Sequence, residues 1–329
     1  MKDSNGLRAF ILRRLVQMVI TLWVLTSILF LMFRLLPGDP VAMYIDAGLP
    51  QEAQAEIRAH FGLDRPIHEQ YLLYMANIAR GEFGRSFYYR VPVADVIGEK
   101  LLATALLMGT SVAVAFLLGT IGGVILAWKR GSKLEAGGLV AALLLRSAPE
   151  FWTGLMALMV FSYWLGWFPI GGMNEPGTNF TSPIQQYVSL DFLHHLVLPV
   201  MVAAGYYLAT PLLIMRNSML EVVGEDFVEM ARAKGLPERA VMFRHAMRNA
   251  LLPVVTVLTL MIGFAVGGQV LIETIFRWPG MGREMVLSVQ RHDFPVAQAS
   301  FFVLGVMVIT MNFITDLLYG WLDPRVTYS

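Results

Sequence analysis

Six long runs of apolar residues, separated by polar segments, most strongly constrain how this 329-residue chain can fold. Each run is close to or longer than the ~20 residues that an α-helix needs to cross the hydrocarbon core of a bilayer. The runs cover approximately 15–36, 101–128, 136–168, 193–215, 251–275 and 297–318. They predict an all-α integral membrane protein with six transmembrane helices.

The composition agrees with a membrane location. Charged residues make up 15% of the chain, well below the roughly 25% of soluble domains. A formal net charge of +1 argues against a nucleic-acid partner held through its phosphates. The absence of cysteine excludes disulfides, thiolate metal sites and cysteine nucleophiles. The first run is longer than a signal-peptide core and no small-residue cleavage site follows it, so we interpret it as a retained helix.

The distribution of lysine and arginine predicts the orientation of the chain. With the N-terminus in the cytoplasm, the inner segments hold 14 of the 25 basic residues. The outer segment 169–192 has none, and the outer segment 276–296 has three. Segment 37–100 carries six, but segments of this length cross the membrane largely regardless of charge. Both termini are therefore predicted to be cytoplasmic.

Segment 37–100 is predicted to form an extracytoplasmic cap between the first two helices. The turn Pro37–Pro40 ends the first helix, because proline disfavours helical geometry in the residue before it. Residues 50–60 and 66–81 are predicted short helices, the latter with proline at its start and glycine at its end. Residues 83–93 are expected to be extended. The cap either covers a pore mouth or is only a packing appendage.

The chain is predicted to divide into 1–100, which holds the first transmembrane helix and the cap, and 101–329, which holds a five-helix core. Candidate pathway residues lie within or beside the apolar runs of this core, and they are Arg146, Glu150, Gln269, Glu273, Asn312 and Asp316. An ionisable residue inside a membrane is costly unless it is paired or hydrated. Arg146 and Glu150, four residues apart, either line a pathway or neutralise each other across a helix bent at Pro149. The other pairs either line an aqueous route or anchor helix ends at the interface.

Two adjacent histidines, His194 and His195, lie at the outer end of the fourth run. Adjacent residues do not share a helix face, so the pair is a poor metal site. We interpret both as surface or interfacial residues.

A charged segment, 216–248, separates the fourth and fifth runs. Glu225 and Asp226 are expected to open a helix, where acidic residues favour the positive dipole end. A narrow apolar stripe then occupies positions i, i+3 and i+4, formed by Phe227, Met230 and Ala231. Gly235 is expected to end this helix and Pro237 to start the next. The sequence thus predicts two short helices at the cytoplasmic face.

Three kinds of partner are conceivable for such a helix pair. Membrane spans on both sides argue against DNA binding. A short helix with mixed charges and a small apolar face is a poor lipid-surface helix. The same features are typical of a helix that binds in a protein groove.

Glu229-Met230-Ala231, followed by Gly235, resembles the cytoplasmic EAA loop of permeases of ABC importers. Further motifs resemble the first permease type of the dipeptide, oligopeptide and nickel branch, and they are 10–14, 36–40, 61–64, 231–236, 245–253, 273–276, 278–282 and 323–325. Together they extend over nearly the whole chain. Met230 departs from the small residue usual at its position, and Leu252-Pro253 comes later than in the general motif.

The resemblance implies a transport subunit of a bacterial inner membrane rather than an enzyme. Its partners would be a second, similar permease, two cytoplasmic ATPase subunits (different or identical) and an extracytoplasmic solute-binding protein. The ATPase subunits would bind ATP and Mg²⁺, and this chain itself lacks a Gly-x-x-x-x-Gly-Lys-Ser/Thr phosphate loop. By the resemblance, the ATPase-coupling residues are Phe227, Glu229, Met230, Ala231, Ala233, Lys234 and Gly235.

The substrate and two other classes of protein stay open at this point. Members of the branch carry di- and oligopeptides, nickel complexes, glutathione or oligosaccharides. A self-contained secondary carrier would show inverted repeats with matching broken helices, and an intramembrane enzyme would show a catalytic group within the spans. Neither pattern is visible in the sequence.

Overall fold

The computed structural model describes residues 4–35, 65–178, 180, 182–266 and 270–322. In chain order the helices are α1 Ser4–Arg34, α2 Ile67–Arg80, α3 Val93–Trp128, α4 Lys133–Ser147, α5 Glu150–Ala157, α6 Pro183–Val188, α7 Leu190–Val222, α8 Asp226–Ala233, α9 Glu238–Ala240, α10 Met247–Val266, α11 Val270–Ile275, α12 Met281–Gln290 and α13 Phe294–Leu322. The π-helical segment Leu158–Trp164 continues α5, and a second, Val241–Ala246, joins α9 to α10. The predicted helical fold is confirmed.

Four helices within the described ranges are long and apolar enough to cross a bilayer. They are Phe10–Arg34, Val93–Trp128, Leu190–Val222 and Phe294–Leu317. They correspond to the first, second, fourth and sixth apolar runs. Each helix begins before its predicted apolar run, because helical structure continues into the residues that precede the run.

The third apolar run does not form one helix. The helix α4 ends at Ser147, and Ala148 is extended because it precedes Pro149. A new helix, α5, begins at Glu150. The shared helix face expected for Arg146 and Glu150 is therefore wrong, although the expected interruption at Pro149 is confirmed.

The fifth apolar run contains α10 and α11. Residues 267–269 between them, including Gln269, lie outside the described residues. Pro253 lies inside α10 and does not end it.

The chain divides into two compact units, with boundaries within α3, between Trp278 and Pro279, and within α13. The first unit contains the described residues up to 104 together with 279–313, and the second contains those of 105–278 and 314–322. These units differ from the segments 1–100 and 101–329 expected from the sequence. That functional division stays a prediction.

In the first unit, α2 packs against α1 through aromatic side chains. The ring of Phe30 lies edge-on to Tyr71 at 5.3 Å between centroids, and the hydroxyls of Tyr71 and Ser27 are 2.7 Å apart. The helix α2 ends at Gly81, whose φ is +75°, so the prediction for 66–81 is confirmed. The other predicted cap helix, 50–60, lies outside the described residues.

The loop before α3 is held by a buried carboxylate in the same unit. Asp293 accepts hydrogen bonds from the hydroxyl of Ser86 and from the backbone N–H groups of Phe87 and Tyr88. Residues 83–93 were expected to be extended, and this is wrong. The loop turns at residues 87–89, and Val93 already begins α3. Local sequence patterns do not reveal a carboxylate that caps a turn from about 200 residues away.

In the second unit, α3 and α7 approach closely at two glycines. A Cβ atom on Gly123 would lie 2.6 Å from the carbonyl oxygen of Leu212 and 2.7 Å from the Cβ of Met215. A Cβ atom on Gly119 would lie 2.8 Å from the carbonyl oxygen of Leu208. Small residues at such positions allow helix backbones to pack tightly within a membrane.

An ion pair between Glu135 and Arg216 joins α4 to the cytoplasmic end predicted for α7. The Nε atom of Arg216 donates to Oε1 of Glu135 at 2.9 Å, and its Nη2 atom contacts the same oxygen. The guanidinium of Arg216 and the backbone N–H of Gly131 lower the pKa of the Glu135 carboxyl. The Glu135 carboxylate therefore remains ionised around neutral pH.

We predict that Gly123→Ala destabilises the protein, because the added methyl group has no space between α3 and α7. Overpacking of this kind typically costs about 1–3 kcal/mol, so the thermal midpoint in detergent should fall by several degrees. Gly109→Ala is the matched control, since a Cβ atom there, on the same helix, meets nothing within 4 Å. Equal midpoints for the two variants would contradict the close contact.

Candidate functional site

The charged segment folds into the predicted helix, α8, with a defined end. Glu225 is extended and precedes the helix, and Asp226 and Glu229 lie in its first turn. At the other end, the N–H of Gly235 donates to the carbonyl of Arg232 at 2.9 Å, and the N–H of Leu236 donates to that of Ala231 at 3.4 Å. This is a Schellman motif. Gly235 has a φ of +75°, which confirms its predicted role at the helix end.

The chain resumes its helical course immediately after this turn. Pro237 precedes α9, and its carbonyl accepts from the N–H groups of Ala240 and Val241. Helical structure then continues through the second π-helical segment into α10. The predicted second helix is confirmed.

One face of α8 packs against its own chain. Val228 is 0% exposed and Ala231 is 6% exposed, and α8 contacts the second π-helical segment, where Val241 and Ala246 are also buried. Ala231 was expected in an outward apolar stripe, and that placement is wrong. The buried positions are Val228 and Ala231, and their i, i+3 spacing is the sequence signal that could have indicated this inner face.

The rest of the surface of α8 is open. Phe227 is 37% exposed and Met230 is 57% exposed, and their i, i+3 spacing makes them neighbours on the helix surface. Glu229, Ala233 and Lys234 are exposed around them. We call Phe227 and Met230 the apolar knob.

Arg232 connects α8 to two other elements. Its Nε atom donates to Oε1 of Glu238 at 3.2 Å, which links α8 to α9. Its guanidinium carbon lies 5.2 Å from the ring centroid of Trp128, the last residue of α3. The first contact is a solvent-exposed ion pair, and the second distance lies within the range of a cation–π contact.

The candidate pathway residues lie on several helices. On α4, Arg146 donates to the hydroxyl of Thr210 at 2.6 Å, while Oε1 of Glu150 on α5 has no hydrogen-bond partner within the described part of the chain. Glu273 is fully buried on α11. On α13, Asn312 is exposed and Asp316 is half-buried. Their pathway role stays a prediction.

The histidines of α7 have separate partners. Nε2 of His194 lies 2.7 Å from the carbonyl oxygen of Trp167, whereas Nδ1 of His195 lies 2.9 Å from the carbonyl oxygen of Asp191. The surface interpretation is confirmed for His194 and wrong for His195, which is buried. Among the described residues, no three His, Asp or Glu side chains come close enough together to hold a metal ion.

Known proteins resemble this chain over nearly its whole length. It is 40% identical to a putative peptide permease protein of Brucella suis over 320 residues, covering 96% of this chain and 98% of the relative. It is 39% identical to the di/tripeptide transport system permease protein DppB of Pseudomonas aeruginosa, with coverage of 98% and 99%. It is 37% identical to the oligopeptide transport system permease protein AppB of Bacillus subtilis, with coverage of 97% and 99%.

Two family models also match. Residues 7–108 match the N-terminal model of binding-protein-dependent transport system membrane components. Residues 119–328 match the model of the binding-protein-dependent transport system inner membrane component. With its apolar helices, its full-length relatives and the match over most of its residues, the chain belongs to the family of inner membrane components of binding-protein-dependent transport systems.

Proposed function

We propose that this chain is the first-type permease subunit of an ATP-driven importer of di- and oligopeptides. The substrate class rests on the relatives, because those of Pseudomonas aeruginosa and Bacillus subtilis are named for di/tripeptide and oligopeptide transport. These names favour peptides over the nickel complexes, glutathione and oligosaccharides that the sequence left open. A family defined by dependence on a binding protein also disfavours a self-contained carrier or an intramembrane enzyme.

The proposed topology has six spans and two cytoplasmic termini. Four spans are the long apolar helices α1, α3, α7 and α13. The other two are the interrupted third run, α4 with α5, and the fifth run, α10 with α11. The distribution of basic residues then puts α8 at the cytoplasmic face.

In this topology α8 is the element that contacts a cytoplasmic ATPase subunit. The single observation that carries the proposal is its two-sided surface: Val228 and Ala231 fix the helix to this chain, while the apolar knob stays exposed. An exposed knob of two apolar side chains on a water-facing helix suits an apolar groove of a partner. Glu229, Ala233 and Lys234 would line the rim of the contact. Ala231 would position the knob without touching the partner.

ATP and Mg²⁺ would bind to the ATPase subunits, and their closure on ATP would move α8 and rock the spans between inward- and outward-facing states. A second permease would complete the pathway, and an extracytoplasmic binding protein would deliver the peptide. The candidate pathway residues of α4, α5, α11 and α13 would face that route.

The docking proposal is tested by Met230→Asp in the co-expressed complex. A charge forced into an apolar groove is left unpaired, so the amount of ATPase subunit that co-purifies in mild detergent should fall at least about tenfold. Leu72→Asp is the matched control, because Leu72 is an exposed apolar residue of α2, on the side predicted to face away from the cytoplasm. Native co-purification and peptide uptake with Met230→Asp would refute docking through the knob.

The left-handed conformation of Gly235 at the end of α8 leads to a second prediction. Gly235→Pro should abolish peptide uptake while membrane insertion continues, because proline has a φ near −65° and no N–H to donate to Arg232. Gly235→Asn should retain most uptake, since asparagine tolerates the left-handed conformation, and Gly235→Ala should fall between the two. Peptide uptake by proteoliposomes, normalised to the amount of inserted protein, measures the relative activity of the three variants. Equal uptake by all three variants would mean that the orientation of α8 does not matter.

A further inference from the structure

Arg232 lies on the face of α8 opposite the apolar knob. It follows Val228 by four residues, so it lies along the same side of the helix, at the solvent-exposed edge of the packed face. From that face its guanidinium reaches the ring of Trp128, 5.2 Å away, while its Nε atom bonds Glu238. Arg232 therefore touches two elements of its own chain and points away from the surface offered to a partner.

The chain itself provides two connections between α8 and the membrane helices. Residues 223–225 lead back to α7, and the turn at Gly235 leads forward through α9 to α10. No such covalent connection joins α8 to α3, which ends about 100 residues earlier. The contact with Trp128 is thus a direct route from α8 to the last turn of α3.

A force applied at Trp128 would act on a tightly packed helix pair. Gly119 and Gly123 of α3 leave no room for a side chain against α7, and Leu126, two residues before Trp128, is buried with Leu212 of α7. Close-packed helices shift together because their interface has little free volume. A movement of the end of α3 is therefore expected to carry α7 with it.

We propose that the Arg232–Trp128 contact transmits the movement of α8 to α3, so that Arg232 and Trp128 are positioning residues of energy coupling. The proposal rests on the proposed function, in which α8 receives its movement from an ATPase subunit. Glu238 holds the guanidinium in place over the ring. Loss of the contact leaves the knob and its docking intact. It reduces the displacement of α3 that a given movement of α8 produces.

The test uses the complete transporter, reconstituted in proteoliposomes, with peptide uptake and ATP hydrolysis measured together. Trp128→Leu removes the aromatic face and keeps an apolar side chain, and Arg232→Gln removes the charge. Each should lower peptide transported per ATP hydrolysed by about two- to fivefold, the factor that corresponds to an exposed cation–π contact. ATPase subunits should co-purify at the native level with both variants.

Conservative variants and a double variant distinguish the loss of movement transmitted from α8 to α3 from a general destabilisation of the fold. Trp128→Phe and Arg232→Lys keep a cation over a ring and should restore the native ratio. The double variant Trp128→Leu with Arg232→Gln should lose no more than either single variant, because both remove the same contact. Arg239→Gln, at an exposed arginine of the same segment, is the control and should leave the ratio unchanged.

Three results would overturn the proposal. The first is a native ratio in Trp128→Leu and Arg232→Gln, and the second is losses that multiply in the double variant. The third is loss of the ATPase subunits from either single variant. Failure of the proposed function would look different. In that case the native chain itself would retain no ATPase subunit, or Met230→Asp would leave docking intact.

Discussion

The close approach of α3 and α7 at Gly119 and Gly123 is the contact on which the second unit depends. It brings two backbones nearer than any side chain at those positions would allow. The helix α7 carries Arg216, which holds α4 through Glu135, and then leads into α8. The helix α3 ends at Trp128, against Arg232 of α8. Several elements at the predicted cytoplasmic face are thereby fixed relative to one rigid helix pair.

The helix α8 depends on this support because it is too short to be stable alone. Isolated helices below about 12–15 residues are marginal in water, and α8 spans Asp226–Ala233. Burial of Val228 and Ala231, the Schellman motif at Gly235 and the contacts of Arg232 together fix its position. A helix that is fixed on one side and carries an exposed apolar knob has the properties expected of a coupling element between two proteins.

Much of the fold followed from local chemistry. The apolar runs located four long helices, and Gly81 and Gly235 ended two others. Pro149 interrupted the third run, and Pro237 preceded a new helix. The glycine and proline signals are readable because each acts through the backbone of its own neighbourhood. Two of the errors came from contacts between distant parts of the chain. Asp293 accepts the hydrogen bond of Ser86 that holds the turn before α3. Arg146 donates a hydrogen bond to Thr210. The inner face of α8 was misplaced because Val228 is buried by the helical segment that follows the turn at Gly235.

The sequence predicted which segment forms the candidate site, but it did not predict correctly which side chains of that segment are exposed. Sequence alone singled out Phe227 and Met230 and also Ala231, which packs inward, but it did not reveal the pairing of Arg232 with Trp128, which are about 100 residues apart. Family membership places the chain in a binding-protein-dependent transport system. In the proposed function, the ATPase subunit binds the exposed knob, and the rigid support of α8 passes the resulting movement to the membrane helices.

Thiol labelling of single-cysteine variants tests the central claim most directly, since the native chain contains no cysteine. Met230→Cys should react rapidly with a water-soluble maleimide in the chain alone and become protected in the complex with its ATPase subunits. Val228→Cys should stay unreactive in both, because that position is buried within the chain. Equally rapid labelling of Met230→Cys with and without the ATPase subunits would contradict the account.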